Sequence, residues 1–115
     1  MRVYLEVGTK RVFACAEDWP GWSRSGRSEE AAIEELISYA DRYAPVAPDL
    51  RVDDPVVTER IAGDGSTDFG APGRVPSCDV DAPLPDSWID ILTASWRMLD
   101  DVAATASAEL RKELE

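Results

Sequence analysis

The sequence predicts an α+β fold: a small antiparallel β-meander packed on one helix in the order β-β-β-α-β, followed by a long C-terminal helix. Three observations carry that expectation. Residues 2–25 fall into short runs of alternating apolar and polar side chains separated by turn residues, the period of half-buried strands. Residues 28–44 place apolar side chains three and four apart behind a capping serine, the period of an amphipathic helix. Residues 86–110 repeat their apolar positions in heptad-like fashion. A chain of 115 residues suits one domain with a modest core and an appendage, not two independent cores.

In the first strand, RVYLEVG from Arg2 to Gly8, Val3, Leu5 and Val7 alternate with Tyr4 and Glu6. Gly8-Thr9-Lys10 makes a turn, and RVFACAE, from Arg11 to Glu17, runs back. Val12, Ala14 and Ala16 share one face, small enough for a helix to lie close, while Phe13 and Cys15 point to the other. Asp18-Trp19-Pro20-Gly21 is a Pro-Gly turn, and Trp22 to Ser25 gives a short third strand. Gly21 suits a positive φ after Pro20, and Gly26 a turn from strand into helix.

Ser28 is placed to cap the helix, Glu29 and Glu30 complement the positive end of its dipole, and Pro45 ends the pattern. Ile33, Leu36, Ile37, Ala40 and Ala44 form its apolar stripe, flanked by Tyr39 and Tyr43. A Pro- and Asp-rich loop leads to a last strand, VVTERI, from Val56 to Ile61. The α+β domain therefore spans 1–62, and a Gly/Pro-rich loop or linker spans 63–85, with Phe69 in TDFGAPG expected to pin part of it onto the domain.

The C-terminal helix is expected over 86–113, with Asp86 as its N-cap and the regular pattern running to about Leu110. Its seam comprises Ile89, Leu92, Trp96, Leu99 and Ala103, continuing to Ala106 and Leu110, and is widened by Trp88, Ile91, Met98 and Val102. A helix of roughly 35 to 40 Å equals or exceeds the breadth of the preceding domain. Part of its apolar surface is therefore expected to meet another chain or a further helix, and a homodimer is the expected partner state. Leu114-Glu115 matches the residue pair left before a purification tag.

Composition narrows the function. The 23 acidic and 12 basic side chains give a net charge of -11, which repels a phosphate backbone and argues against DNA binding. Arg2, Lys10, Arg11, Arg24 and Arg27 make the N-terminal third locally basic, and read as a solvated face. With no apolar signal core and no run of transmembrane length, the chain is expected to be soluble, cytoplasmic and free of membrane. The chain lacks histidine, which removes His-based zinc sites and the Ser-His and Cys-His nucleophile systems. Cys15 and Cys78 suggest no disulfide framework, and Cys15 reads as a small buried hydrophobe. No metal or other cofactor is expected.

Trp19, Pro20, Gly21, Trp22 and Gly26 are the candidate structural corner, Trp19 and Trp22 reading as packing before recognition because tryptophan buries a large area at a tight turn. Glu6, Glu17 and Asp18 are the acidic residues that a metal-dependent nuclease would need, a minor reading beside that of ordinary sheet-edge charges. The Asp-Phe-Gly within TDFGAPG has no Gly-rich phosphate loop or strand lysine to accompany it.

The N-terminal run of strand, turn, strand, acidic-aromatic-Pro-Gly corner, short strand ending at Gly26 and Ser-Glu-Glu-Ala-Ala helix start resembles the HicB-type antitoxin domain, a truncated RNase H-like fold. The resemblance covers about Arg2 to Ile61 and is strongest from Asp18 to Ala32. It implies a β-β-β-α-β unit that often dimerises and, in true antitoxins, masks a small partner ribonuclease. The family usually ends in an operator-binding helical motif. Here a single long helix with few basic residues stands in its place, which argues against operator binding. That helix itself resembles the opening helix of a DinB-like four-helix bundle.

These readings converge on a non-enzymatic, HicB-like protein-interaction or regulatory module, antitoxin-like in its partner-holding form. The alternative is the N-terminal fragment of a DinB-like metal-binding protein or enzyme whose active residues lie outside this chain.

Overall fold

The computed structural model describes residues 1–76 and 81–106. Its elements are β1 (Arg2–Val7), β2 (Val12–Ala16), β3 (Ser23–Gly26), α1 (Glu29–Ser38), α2 (Ala40–Tyr43), a 3-10 turn at Ala44–Val46, β4 (Val56–Ala62), α3 (Gly65–Phe69) and α4 (Asp86–Thr105). The α+β class and the β-β-β-α-β order are as the sequence predicts. The strand order in the sheet is β3-β2-β1-β4.

β1, β2 and β3 form the antiparallel meander, with Leu5 opposite Ala14 and Ala14 opposite Arg24. β4 departs from an all-antiparallel sheet: it joins the free edge of β1 in parallel, Val3 beside Val57 and Leu5 beside Arg60, so the sheet is mixed. The helical segment between β3 and β4 carries the chain across the sheet, and such a crossover brings the strand back in the direction of β1. The register shifts between Val3 and Tyr4, where Thr58 is the extra residue. Its hydroxyl donates to a Glu17 carboxylate oxygen at 2.8 Å and lies 3.3 Å from the Val3 carbonyl.

The core lies between one face of the sheet and α1. Val3, Leu5, Val12, Ala14 and Ala16 from the sheet meet Ala32 and Leu36 from the helix, with Trp22 closing one end. The small side chains of β2 bring α1 close, as the alternation implies. Gly26 completes that approach: a Cβ there would stand 2.6 Å from the Ala32 nitrogen and 2.7 Å from the Ala31 carbonyl carbon. Its role is this close packing and not a positive φ, which Gly26 does not have.

Ser28 caps α1, its hydroxyl accepting from the Ala31 amide at 3.1 Å. The helix stops at Ser38, earlier than the apolar period suggests. The Ser38 hydroxyl donates to the Glu35 carbonyl at 2.7 Å and competes for the helical acceptor, while Tyr39 leaves the helical region at φ -97° and ψ 9°. The stripe to Ala44 is thus divided among α1, α2 and the 3-10 turn that Pro45 enters.

A strap from Asp64 to Arg74 is tied to the second face of the sheet at Glu6 and to the β1–β2 turn. Its short helix α3 opens on a capping box between Asp64 and Thr67. Two carboxylates hold the strap. Glu6, wholly buried, accepts from the Thr67 hydroxyl at 2.7 Å, from the Gly73 amide at 3.0 Å and from the Arg74 amide. Asp68 accepts from the amides of Thr9, Lys10 and Arg11 at 3.2, 2.7 and 3.1 Å, clamping the β1–β2 turn. Phe69, expected to be the pin, is 90 % exposed. The strap is fastened by hydrogen bonds that converge on buried or turn-facing carboxylates and not by an aromatic anchor.

Pro85, and not Asp86, is the N-cap of α4, and Ala106 is extended, at φ -73° and ψ 152°. The helix is therefore 20 residues, about 30 Å at about 1.5 Å per residue, shorter than the 35 to 40 Å anticipated. Ala106 lies beyond its end, while Leu110, the rest of the expected span to 113 and Leu114-Glu115 lie outside the described residues. No helix among the described residues is long and apolar enough to cross a membrane.

Candidate interaction surface

The Pro-Gly corner is built from backbone outwards. The Trp22 amide donates to the Trp19 carbonyl at 3.2 Å across Pro20 and Gly21, and Gly21 has φ +87°, the pattern of a type II turn with proline and glycine in the places that favour them. The turn directs Trp22 inward. Its indole N–H donates to the Leu36 carbonyl at 2.9 Å, and its ring stacks on Tyr43 with centroids 5.5 Å apart. Tyr43 in turn donates its hydroxyl to the Pro20 carbonyl at 2.6 Å, tying α2 back to the turn. Burial of the phenol pushes the Tyr43 pKa up to about 12, so it stays a neutral donor at physiological pH.

Trp19 and Trp22 do different work. Trp22 is buried at 3 % exposure, whereas Trp19 is half-buried and packs on the margin of the core. Both side chains pack on the core between the sheet and α1. Arg24, on β3, stacks 3.8 Å above the Tyr39 ring at the C-terminal end of α1, where the helix has no basic residue of its own. Arg2 pairs with Asp18. Two of the basic residues of the N-terminal third, Arg2 and Arg24, are thus engaged in contacts within the chain.

The α4 helix meets the corner at its first turn. The Trp88 indole N–H donates to the Asp18 carbonyl at 3.2 Å, and Ile91, 7 % exposed, is the buried residue of α4, in the region where the helix packs on the 3-10 turn. Between helix and corner lies an open cleft of about 380 Å³, with Pro20 and Gly21 on one wall and Leu84, Trp88, Leu92 and Ser95 on the other. Its lining is almost wholly apolar apart from Ser95.

The seam borders the domain only at its start, where Ile89 and Leu92 line the cleft. Ile89, Leu92, Trp96 and Leu99 are 53 to 60 % exposed, Ala103 is exposed, and Val102 on the flank is 58 % exposed. From Ser95 to Thr105 every residue of α4 is exposed. The helix thus docks through Ile91 and the first turn, and carries its heptad face outward beside the cleft. Sequence periodicity identified the apolar positions but not this division, because Ile91 and Leu92 are adjacent in sequence and lie about 100° apart on the helix.

The acidic residues read as a nuclease alternative are held separately by protein donors. Glu6 is bound by the strap, Glu17 by Thr58, and Asp18 by Arg2, whose guanidinium pKa the Asp18 hydrogen bond raises. Among the described residues no group of three or more Asp, Glu, Cys or His side chains is placed to hold a metal ion. Cys15 is buried beside Ser23, with burial pushing its thiol pKa up, as the small-hydrophobe reading requires. Comparison of the chain with family models, with curated proteins and with solved structures returned no match.

Proposed function

We propose that this chain is a non-enzymatic protein-interaction or regulatory module of HicB-like design that works as a homodimer through the seam on α4, leaving the β-sheet domain to hold a small partner protein in an antitoxin-like manner. The observation that carries the reading is the row Ile89, Leu92, Trp96 and Leu99 on α4, each more than half exposed. A contiguous apolar face of this kind is characteristic of interaction surfaces. Each side chain contributes about 1.5 to 3 kcal/mol when fully buried.

The charge pattern supports a like partner at the seam itself. Its flanking positions are Trp88, Thr93, Ser95, Asp100 and Val102, with one charge among five, so two copies meet without the acid-on-acid repulsion that a net charge of -11 otherwise brings. The sheet domain, residues 1–62, carries 12 acidic and 8 basic side chains, a net charge of -4, which favours a basic protein partner over an acidic one.

Sedimentation equilibrium tests the dimer. The unmutated chain should be dimeric at tens of micromolar and Trp96→Glu monomeric. A monomeric parent, or a dimer indifferent to the substitution, overturns the seam. The antitoxin-like part is tested by the adjacent gene: a small, basic, ribonuclease-like product whose RNA cleavage is suppressed by an equimolar amount of this chain supports it, and a product unaffected by the chain counts against it.

A further inference from the structure

Resting on the homodimer reading, we infer that the two α4 helices pair antiparallel about Trp96 and that Val102 of the second copy closes the corner cleft, so that each Pro20-Gly21 corner is completed by the other chain. Area gives the first argument. Ile89, Leu92, Trp96, Leu99 and Val102, each more than half exposed, offer on the order of 500 Å² per copy, short of the about 800 Å² that each side of a standard stable interface buries. The adjoining cleft, with Leu84 at 65 % exposure on its rim, is the apolar surface next to the seam that a second copy would cover along with it.

The two flanks of the seam decide the direction. On one flank stand Trp88, Ser95 and Val102, on the side where the cleft opens; on the other stand Thr93 and Asp100. In a parallel pair, unlike flanks meet, which sets the Asp100 carboxylate against Ser95 and Val102 and offers polar Thr93 to the apolar cleft. In an antiparallel pair, like flanks meet. Val102 of one copy then lies over the first turns of the other, between Trp88 and Ser95, while Thr93 and Asp100 stay on the solvent side. The antiparallel arrangement also lays the half of α4 that is free of its own domain, Ser95 to Thr105, along the half that carries the cleft. It sets the negative C-terminal end of one helix, which has no basic residue in its last turn, beside the positive end of the other.

Spin labels on Asp86→Cys in a Cys15→Ala, Cys78→Ser background distinguish the arrangements. At about 1.5 Å per residue the two labelled backbones stand about 30 Å apart along the axis in the antiparallel dimer and within about 10 Å in a parallel one. A long distance supports the inference, and a short one from a sedimenting dimer overturns it while leaving the homodimer intact. A monomer removes the reading beneath it. The cleft is tested in the same chain: Val102→Glu should raise the dimer dissociation constant at least tenfold, and Thr93→Glu, on the wet flank, should change it less than about threefold. Equal effects of the two overturn the assignment of Val102 to the cleft.

Discussion

Gly21 and Gly26 both look like turn glycines in the sequence, yet they are required for different reasons. At Gly21 the backbone itself demands glycine, since φ +87° is a region that side chains with a Cβ adopt at a cost of about 1 to 3 kcal/mol. At Gly26 the neighbour demands it, because α1 passes too close for any Cβ. Gly21→Val should therefore lower the urea midpoint by a strain of that order. Gly26→Val should cost about 2 to 4 kcal/mol, since Ala31 and Ala32 would be forced away from the sheet. A variant of either that unfolds at the parental midpoint but fails to bind a partner would assign the corner to recognition instead. Trp22→Phe separates packing from hydrogen bonding: the ring can still stack on Tyr43, but the Leu36 carbonyl loses its indole donor, an expected loss of about 1 to 3 kcal/mol in the same measurement. The turn chemistry of Pro20 and Gly21 and the cap at Ser28 are local properties, which is why the sequence displays them plainly. The burial of Glu6 is not local, because its partners Thr67, Gly73 and Arg74 lie more than sixty residues away in sequence.

Among the elements, strands β1 to β3 and helices α1 and α4 announce themselves through period and punctuation, whereas the strap does not. Its hold on the sheet rests on polar contacts that leave no hydrophobic period. The Asp-Gly-Ser-Thr start of α3, with acceptor and hydroxyl three apart, was the signal available for it. Asp68 makes the strap sensitive to acid. The amides of Lys10, Arg11 and Thr9 hold its carboxyl below the ordinary value of 3.8. A carboxyl depressed in the folded state contributes stability in full above its unfolded value and loses it as the pH falls through the folded one. The protection factors for amide hydrogen exchange at Thr9, Lys10 and Arg11 should accordingly be high at neutral pH and fall as the pH drops below 3.8, while Asp68→Ala should lower them at every pH. Unchanged protection in the variant would mean that another group holds the turn. Glu6→Ala should be more damaging, because it empties a buried site and strands a hydroxyl and two amides at once. A loss of about 3 kcal/mol or more in urea unfolding is expected.

For the whole molecule, the sequence made clear that an apolar helix follows a small domain, but not that the helix lies on its domain by one edge and keeps its seam for others. Periodicity counts apolar positions without saying which body each one meets. The direction of β4 was hidden for a related reason: alternation marks a strand equally well in either sense, and only the crossover through α1, α2 and the 3-10 turn sets it parallel. That direction carries a consequence in time. The meander and α1 are joined by short connections, whereas pairing Arg2 with Val56 must close a loop of about fifty residues before any of its contacts form. The β1–β2–β3–α1 unit is therefore the natural nucleus, and β4 adds to its edge afterwards. Val57→Ala, at a side chain packed on the core, should then steepen nothing on the refolding arm of a chevron plot but raise the unfolding rate, whereas Leu36→Ala should slow refolding itself. Equal slowing of refolding by both would place β4 in the nucleus. Until that last strand arrives, the outer edge of β1 stands open to any other extended chain, and the interval between nucleus and edge closure is when this protein is most exposed to pairing with the wrong strand.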